Sequence, residues 1–152
     1  MSQDTATANT NTFNKDAKST DNAQQLKEFR TPPHNLAIEQ AVLAALMTVA
    51  ESFEQVSDAL NENDFYATRH KYIFRAIEKL AQENSPYDAV LVNDWLIKQN
   101  LIDAIGGEEY LMQLMSDSPA SFYNLETYAG KIKEFSTLRS MIKVSNEILH
   151  NA

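Results

Sequence analysis

The chain has 152 residues, 43% hydrophobic and 22% charged, which suits one domain with a tail or at most two small units. It has no cysteine, so disulfide frameworks and thiolate metal sites are excluded, and residence in the cytoplasm fits. Its net charge of −8 is uneven: residues 32–123 carry fourteen acids against five bases, while residues 1–31 balance to zero and residues 124–152 sum to +1.

A body this acidic repels phosphate backbones, which argues against an autonomous DNA or RNA binder. No apolar run approaches the length of a membrane span, and the start lacks a basic-then-apolar leader, so no membrane partner is expected. Residues 1–31 are rich in Asn, Thr, Asp, Gln, Ser and Lys, with Phe13, Leu26 and Phe29 as isolated large apolar side chains. Such a segment cannot bury enough surface to offset its ordering entropy, and it is expected to be a disordered tail. A short helix over Asp21–Phe29, docking Leu26 and Phe29, is the alternative. Thr31-Pro32-Pro33 then forces extended backbone and marks the start of a body over residues 32–120.

Asn35 suits the N-cap of a first helix running from Leu36 to about Ala50. Ile38, Ala41, Val42, Ala45, Leu46 and Val49 form its stripe, and Leu36, Leu43 and Met47 widen it, so burial on most sides is expected. A second helix is predicted from about Ala50 to Leu60, with Phe53, Val56 and Leu60 inward. Asn61-Glu62-Asn63-Asp64 breaks it, and Phe65 and Tyr66 are expected to plug the core. A third helix, Thr68 to Asn84, carries Ile73, Phe74, Ile77, Leu80 and Ala81 on one face. Its opposite face pairs Arg75 with Glu78. Ser85-Pro86 stops it. Asp88 caps a fourth helix, Ala89 to Gln99, burying Val92, Trp95 and Leu96, and Leu101-Ile102 packs from the loop beyond. Gly106-Gly107 turns into a fifth helix, Glu108 to Ser116, with an acidic first turn that suits the helix dipole. Tyr110, Leu111, Leu114 and Met115 face inward. No stretch alternates like a strand, so the fold class is all-α: a compact five-helix body followed by one long projecting helix.

Chemistry-bearing patterns are sparse. No Gly-Lys-Ser/Thr phosphate loop follows the lone glycine pair, so neither ATP binding nor catalysis is expected of this chain. His34, His70 and His150 are too dispersed for a zinc site, and His34 and His70 suit hydrogen-bonding structural roles. Asp58, Glu62 and Asp64 read as a solvated acidic turn rather than an acid–base pair. No cofactor is expected.

The last stretch, residues 121–152, carries the functional signal. With Asn124 as N-cap, its helix spans about 27 residues, roughly 40 Å. Leu125, Tyr128, Ile132 and Phe135 form a stripe that can cover the body. From Leu138 onward the apolar arc broadens, with Leu138, Ile142 and Leu149 on one side and Met141, Val144 and Ile148 beside them. A surface helix needs one stripe; this arc asks for a second neighbour. So long a helix outreaches a body with a radius of gyration of about 12–13 Å, so its distal half is expected to project and associate. Lys131, Lys133, Arg139 and Lys143 offer a modest basic stripe, the basis of a lesser reading as a nucleic-acid binder.

Pro32-Pro33-His34, Glu39-Gln40, Val42-Leu43, Asp64-Phe65-Tyr66, His70, Ile73-Phe74, Pro86, Asp88, Gly106-Gly107, Tyr110-Leu111, Tyr128-Ala129, Ile132 and Arg139 to Ile142 follow in unbroken order. The series, over about residues 31–149, resembles the amino-terminal domain of DnaB-type replicative helicases. The resemblance implies a hexameric bacterial helicase that unwinds DNA at the replication fork using ATP and Mg, engaging single-stranded DNA through a motor domain absent from this chain. It implies a helical body and hairpin that self-associate, as dimers, into a collar where a DnaG-type primase docks. The long helix would be the hairpin's first arm, with Leu138, Met141, Ile142, Val144, Ile148 and Leu149 at the oligomer or primase interface. Ala44-Ala45 and Lys131 and Lys133 depart from the more usual Gly and Arg of the family, which bears on helix stiffness and on partner contacts. The alternative is a stand-alone helical adaptor or helicase-loading protein.

Overall fold

The computed structural model describes residues 31–117 and 124–151. The expectations for the tail fall outside them, apart from Thr31. Among the described residues the regular elements are five α-helices: α1 (Leu36–Thr48), α2 (Thr68–Gln82), α3 (Ala89–Lys98), α4 (Glu108–Asp117) and α5 (Leu125–Asn151). Three 3-10 turns, Ser52–Gln55, Glu62–Asp64 and Asp103–Ile105, lie between them.

The helix ends follow from local chemistry. Asn35 caps α1 by accepting from Ile38 N–H at 3.1 Å, and Asp88 caps α3 by accepting from Leu91 N–H at 3.0 Å. α2 ends with Asn84 at φ 56°, where Ser85 N–H reaches Leu80 O and Asn84 N–H reaches Ala81 O. α3 repeats the arrangement, with Asn100 at φ 58°, Leu101 N–H on Leu96 O and Asn100 N–H on Ile97 O. Asparagine tolerates this left-handed position, and the paired bonds satisfy carbonyls that a helix end otherwise leaves open. Gly106 at φ 99° and Gly107 at φ 79° make the turn into α4, a conformation that side-chain-bearing residues resist.

The predicted second helix is not an α-helix. Val49 leaves α1 in extended conformation, and Glu51 takes φ 61° before a four-residue 3-10 turn. The buried Ser52 hydroxyl donates to Val49 O at 2.7 Å, a local bond that competes with regular helix. Single helical turns follow, closed by Ser57 N–H on Phe53 O and Leu60 N–H on Val56 O. Phe53, Val56 and Leu60 are still buried, so the apolar spacing placed the side chains although the backbone winds differently.

Val42, Leu43 and Leu46 of α1 meet Phe65 and Ile73, Phe74 and Ile77 of α2 in the core, all essentially inaccessible. Phe74 sits between Phe65 at 5.0 Å and Phe53 at 5.7 Å, tilted against both. Val92 and Leu96 of α3 and Leu111 and Leu114 of α4 close the core, and Trp95, Leu101, Ile102 and Met115 pack on it partly buried. Each fully covered side chain contributes about 1.5–3 kcal/mol of transfer free energy. Three expectations fail here. Leu36 and Val49, at the two ends of α1, are exposed, because the helix ends extend past the layer that covers its middle. Tyr66 does not plug the core; it is exposed and stacks on His34, ring centroids 3.8 Å apart.

α1 carries one charge into the interior. Glu39 is 2% exposed, and its carboxylate accepts from Tyr66 N–H at 2.8 Å, Ala67 N–H at 3.4 Å and the buried His70 Nδ1 at 2.8 Å. The other His70 nitrogen, Nε2, meets the Tyr110 hydroxyl, which also accepts from Gln40 Nε2 at 3.3 Å. A neutral imidazole protonated at Nδ1 satisfies the whole chain, since Nε2 then accepts the tyrosine proton. The relay ties α1, the start of α2 and α4 together, and Glu39 takes the N–H groups of Tyr66 and Ala67, the two residues that lead into α2. His70 is thus the hydrogen-bonding structural histidine that the sequence suggests.

Candidate functional site

α5 divides into two halves with different surroundings. In the first, which packs against α1 and the Glu62–Asp64 turn, Leu125, Ala129 and Ile132 are buried and Tyr128 is partly buried against the core. Leu125 and Ala129 are four residues apart and Ile132 is three further on, which puts them on one face.

The two halves are separated by a polar clasp. Asp64 is 4% exposed, so its carboxylate needs partners to remain in the interior. It accepts from Asn61 N–H at 2.9 Å, from Ser136 Oγ at 2.7 Å and from Lys133 Nζ at 3.3 Å. Arg139 donates to the backbone carbonyls of Asp64 at 2.6 Å and Pro33 at 2.9 Å, with its guanidinium 5.7 Å from the Tyr66 ring. Of the three acids that the sequence suggests form a solvated turn, Asp58 is exposed as expected, but Asp64 is buried and Glu62 half-buried. Asp64 folds in to cap its own turn and grips α5, while Glu62 pairs in two bonds with Arg75, at 2.6 and 3.1 Å. That pairing replaces the expected Arg75–Glu78 contact and holds the Arg75 pKa above its ordinary value, chiefly through the Glu62 hydrogen bond.

Beyond Arg139 the helix stands clear of the body, and residues 140–150 are exposed throughout. Of the six apolar residues singled out from the sequence, five lie on this half and Leu138 just before it; all six are exposed, from Ile142 at 44% and Leu138 at 45% to Leu149 at 75%, with Met141, Val144 and Ile148 between. At about 100° per residue, their arc is centred roughly 180° around the helix from the Leu125, Ala129 and Ile132 face. No bend of a continuous helix brings that arc onto the surface that covers the first half. A depression of about 690 Å³, lined by Asp58, Ala59, Gly130, Lys133, Glu134, Thr137 and Leu138, carries the exposed side toward the body.

The basic stripe is largely committed elsewhere. Lys133 and Arg139 hold the clasp, and Lys131 lies 3.5 Å from Glu134. Among the described residues no group of three or more His, Cys, Asp or Glu side chains could hold a metal ion, and no helix is long and apolar enough to cross a membrane. The buried Glu39–His70–Tyr110 chain lies inside the packed core, where a substrate has no access. The clasp was not foreseen from the sequence; Asp64 precedes two aromatic residues after a run of turn formers, and only that adjacency hinted at an inward carboxylate.

The family profile described as the DnaB-like helicase N-terminal domain matches residues 31–134. The replicative DNA helicase DnaB of Pasteurella multocida (strain Pm70) is 32% identical over 126 residues, 83% of this chain and 27% of that protein. The crystal structure of the N-terminal domain of DnaB helicase from Mycobacterium tuberculosis superposes with a TM-score of 0.75 at 32% identity, covering 79% of this chain and 85% of that one. The N-terminal domain of DnaB helicase from Helicobacter pylori, described together with its interactions with primase, gives 0.65 at 28% identity, covering 75% and 88%. The chain thus spans about a quarter of the curated helicase and most of each solved domain.

Proposed function

Because the chain belongs to the DnaB-like helicase N-terminal domain family, we propose that it is the non-catalytic assembly domain of a replicative DNA helicase. It self-associates through the distal half of α5, as dimers building a hexamer collar, and it docks a DnaG-type primase. ATP- and Mg-dependent unwinding, and the grip on single-stranded DNA, belong to the remainder of the parent protein.

The observation that carries this reading is the unpartnered apolar arc on a helix whose other half is anchored. Covering six side chains that are about half exposed gives a gross gain of roughly 7 kcal/mol per arm. Two arms together reach about 14 kcal/mol, comparable to the cost of association of about 4–15 kcal/mol. The arms are therefore expected to associate in a concentration-dependent way. The likeness to the Helicobacter pylori domain, described with primase, supports the docking role. Primase bound to one arrangement of the collar would stabilise that arrangement and so bias the motor, by linkage.

Sedimentation of the 152-residue chain over a concentration series tests the reading, with Ile142→Asn and Ile148→Thr as variants. Both sites are exposed, so the melting temperature should move by less than about 3 °C. Self-association, and binding of a primase carboxy-terminal domain, should weaken by about tenfold or more. Unchanged mass distribution and unchanged primase binding in both variants would refute the assignment of this surface.

A further inference from the structure

A second concave surface lies away from α5. The ends of α1 and α2, the turn after α1 and the link into α3 enclose a groove of about 750 Å³ whose lining is drawn from residues 46–57 and 81–88. Its floor is apolar, built on Met47, Phe53 and Tyr87, with Val49 and Pro86 exposed at the edge. Its charge is of one sign: Glu51, Glu54 and Asp88 line it and no Lys or Arg does.

Two further features strengthen that field. α1 ends at Thr48 and α2 at Gln82, so two helices turn their negative ends toward the groove. α3 starts there, but its positive end is met by the Asp88 carboxylate that caps it. The walls are also held in place without a ligand. Phe53 N–H donates to the Tyr87 hydroxyl at 2.9 Å, joining the two sides across 34 residues of chain, and the Asn84 turn fixes the rim of α2. A preformed groove spends little of its binding energy on ordering.

We propose that this groove docks a basic, amphipathic segment of a partner protein. An apolar side chain of the segment seats on the Met47, Phe53 and Tyr87 floor, and a Lys or Arg lies among Glu51, Glu54 and Asp88. The volume suits several side chains of a short peptide. The one-signed rim selects the basic partner and rejects an acidic one, and the −9 body steers it inward. No residue of α5 lines the groove, so the proposal stands apart from the assembly reading.

The test is amide-resolved NMR titration of the full 152-residue chain with a synthetic Leu/Lys peptide of about fifteen residues, its apolar positions at helical spacing. Shifts are expected on Met47–Ser57 and Gln82–Asp88. The Glu51→Gln/Glu54→Gln double variant should bind about tenfold more weakly, and so should the native chain when salt rises from about 50 to 300 mM. Asp88→Asn provides an independent variant, because asparagine caps a helix as well as aspartate while removing the charge; about threefold weaker binding is expected. Four results would overturn the proposal: no shifts at about millimolar peptide, shifts centred on residues 138–149, equal binding of a Leu/Glu peptide of the same pattern, or undiminished affinity in both charge variants. Preferential binding of a single-stranded oligonucleotide at the groove would overturn it as well.

Discussion

Replacing Asp64 with alanine is expected to destabilise the domain by about 3 kcal/mol, and the structure apportions the loss. Removing the acceptor for Asn61 N–H, a capping bond of 2.9 Å, costs about 1 kcal/mol. The Ser136 hydroxyl, 2.7 Å from a carboxylate that is 4% exposed, loses a charge-assisted bond worth about 1.5–2 kcal/mol. Lys133 is half exposed and its ion pair adds at most about 0.5 kcal/mol. For a domain of this size the total lowers the melting temperature by about 12 °C. Arg139 bonds to the Asp64 backbone carbonyl rather than the carboxylate, so α5 keeps one tie to the body and the variant should still fold. Circular dichroism melts measure the shift, and a cycle with Ser136→Ala isolates the clasp. The two losses should fall short of additivity by about 1 kcal/mol, because the second deletion removes a group the first has already orphaned. A shift of less than about 2 °C for Asp64→Ala, or simple additivity in the cycle, would refute the idea that a buried carboxylate holds the arm.

Two further substitutions test the interior. Glu39→Leu strips the acceptor from two backbone N–H groups and from His70, and about 3 kcal/mol of loss is expected by urea titration. Tyr110→Phe takes the partner from the buried His70 Nε2 and from the half-buried Gln40 amide, and should cost about 1–2 kcal/mol by the same assay, clearly less than Glu39→Leu. Arg75→Ala breaks a pair whose side chains are 37% and 27% exposed, and less than about 1 kcal/mol is expected. Because the Glu62 bond raises the Arg75 pKa, its contribution is present below the unfolded value and lost only above the raised one. The difference between native and variant melts should therefore stay constant from about pH 7 to pH 10.

Much of this arrangement is legible in one dimension. Apolar residues at helical spacing located α1 to α5, Asn35 and Asp88 marked two starts, and Gly106-Gly107 marked a turn that requires positive φ. The same spacing misled at residues 50–60, where the inward residues were right and the α-helix was not. A local Ser52 bond and a left-handed Glu51 decide the backbone there, and neither leaves a mark in hydrophobic periodicity. The six arm residues were singled out because their apolar arc is wider than one stripe, and the structure leaves all six exposed. Glu39 was overlooked, since on a helix wheel a charged residue reads as outward until its partners on another helix are known.

The sequence by itself determined that the chain is helical, that its body is acidic, and that its last helix carries more apolar surface than one neighbour can cover. Those are properties of composition and period, which survive without knowledge of which element meets which. Only the tertiary structure decided where the charges go. Asp64 and Glu39 could as well have been solvent-facing, and they are inward because Lys133 and Ser136 of α5, and His70 of α2, arrive from 31 to 72 residues away to satisfy their carboxylates. A buried carboxylate is tolerable only with its hydrogen bonds complete. That completion divides α5 at Arg139 into a half that belongs to the body and a half left exposed.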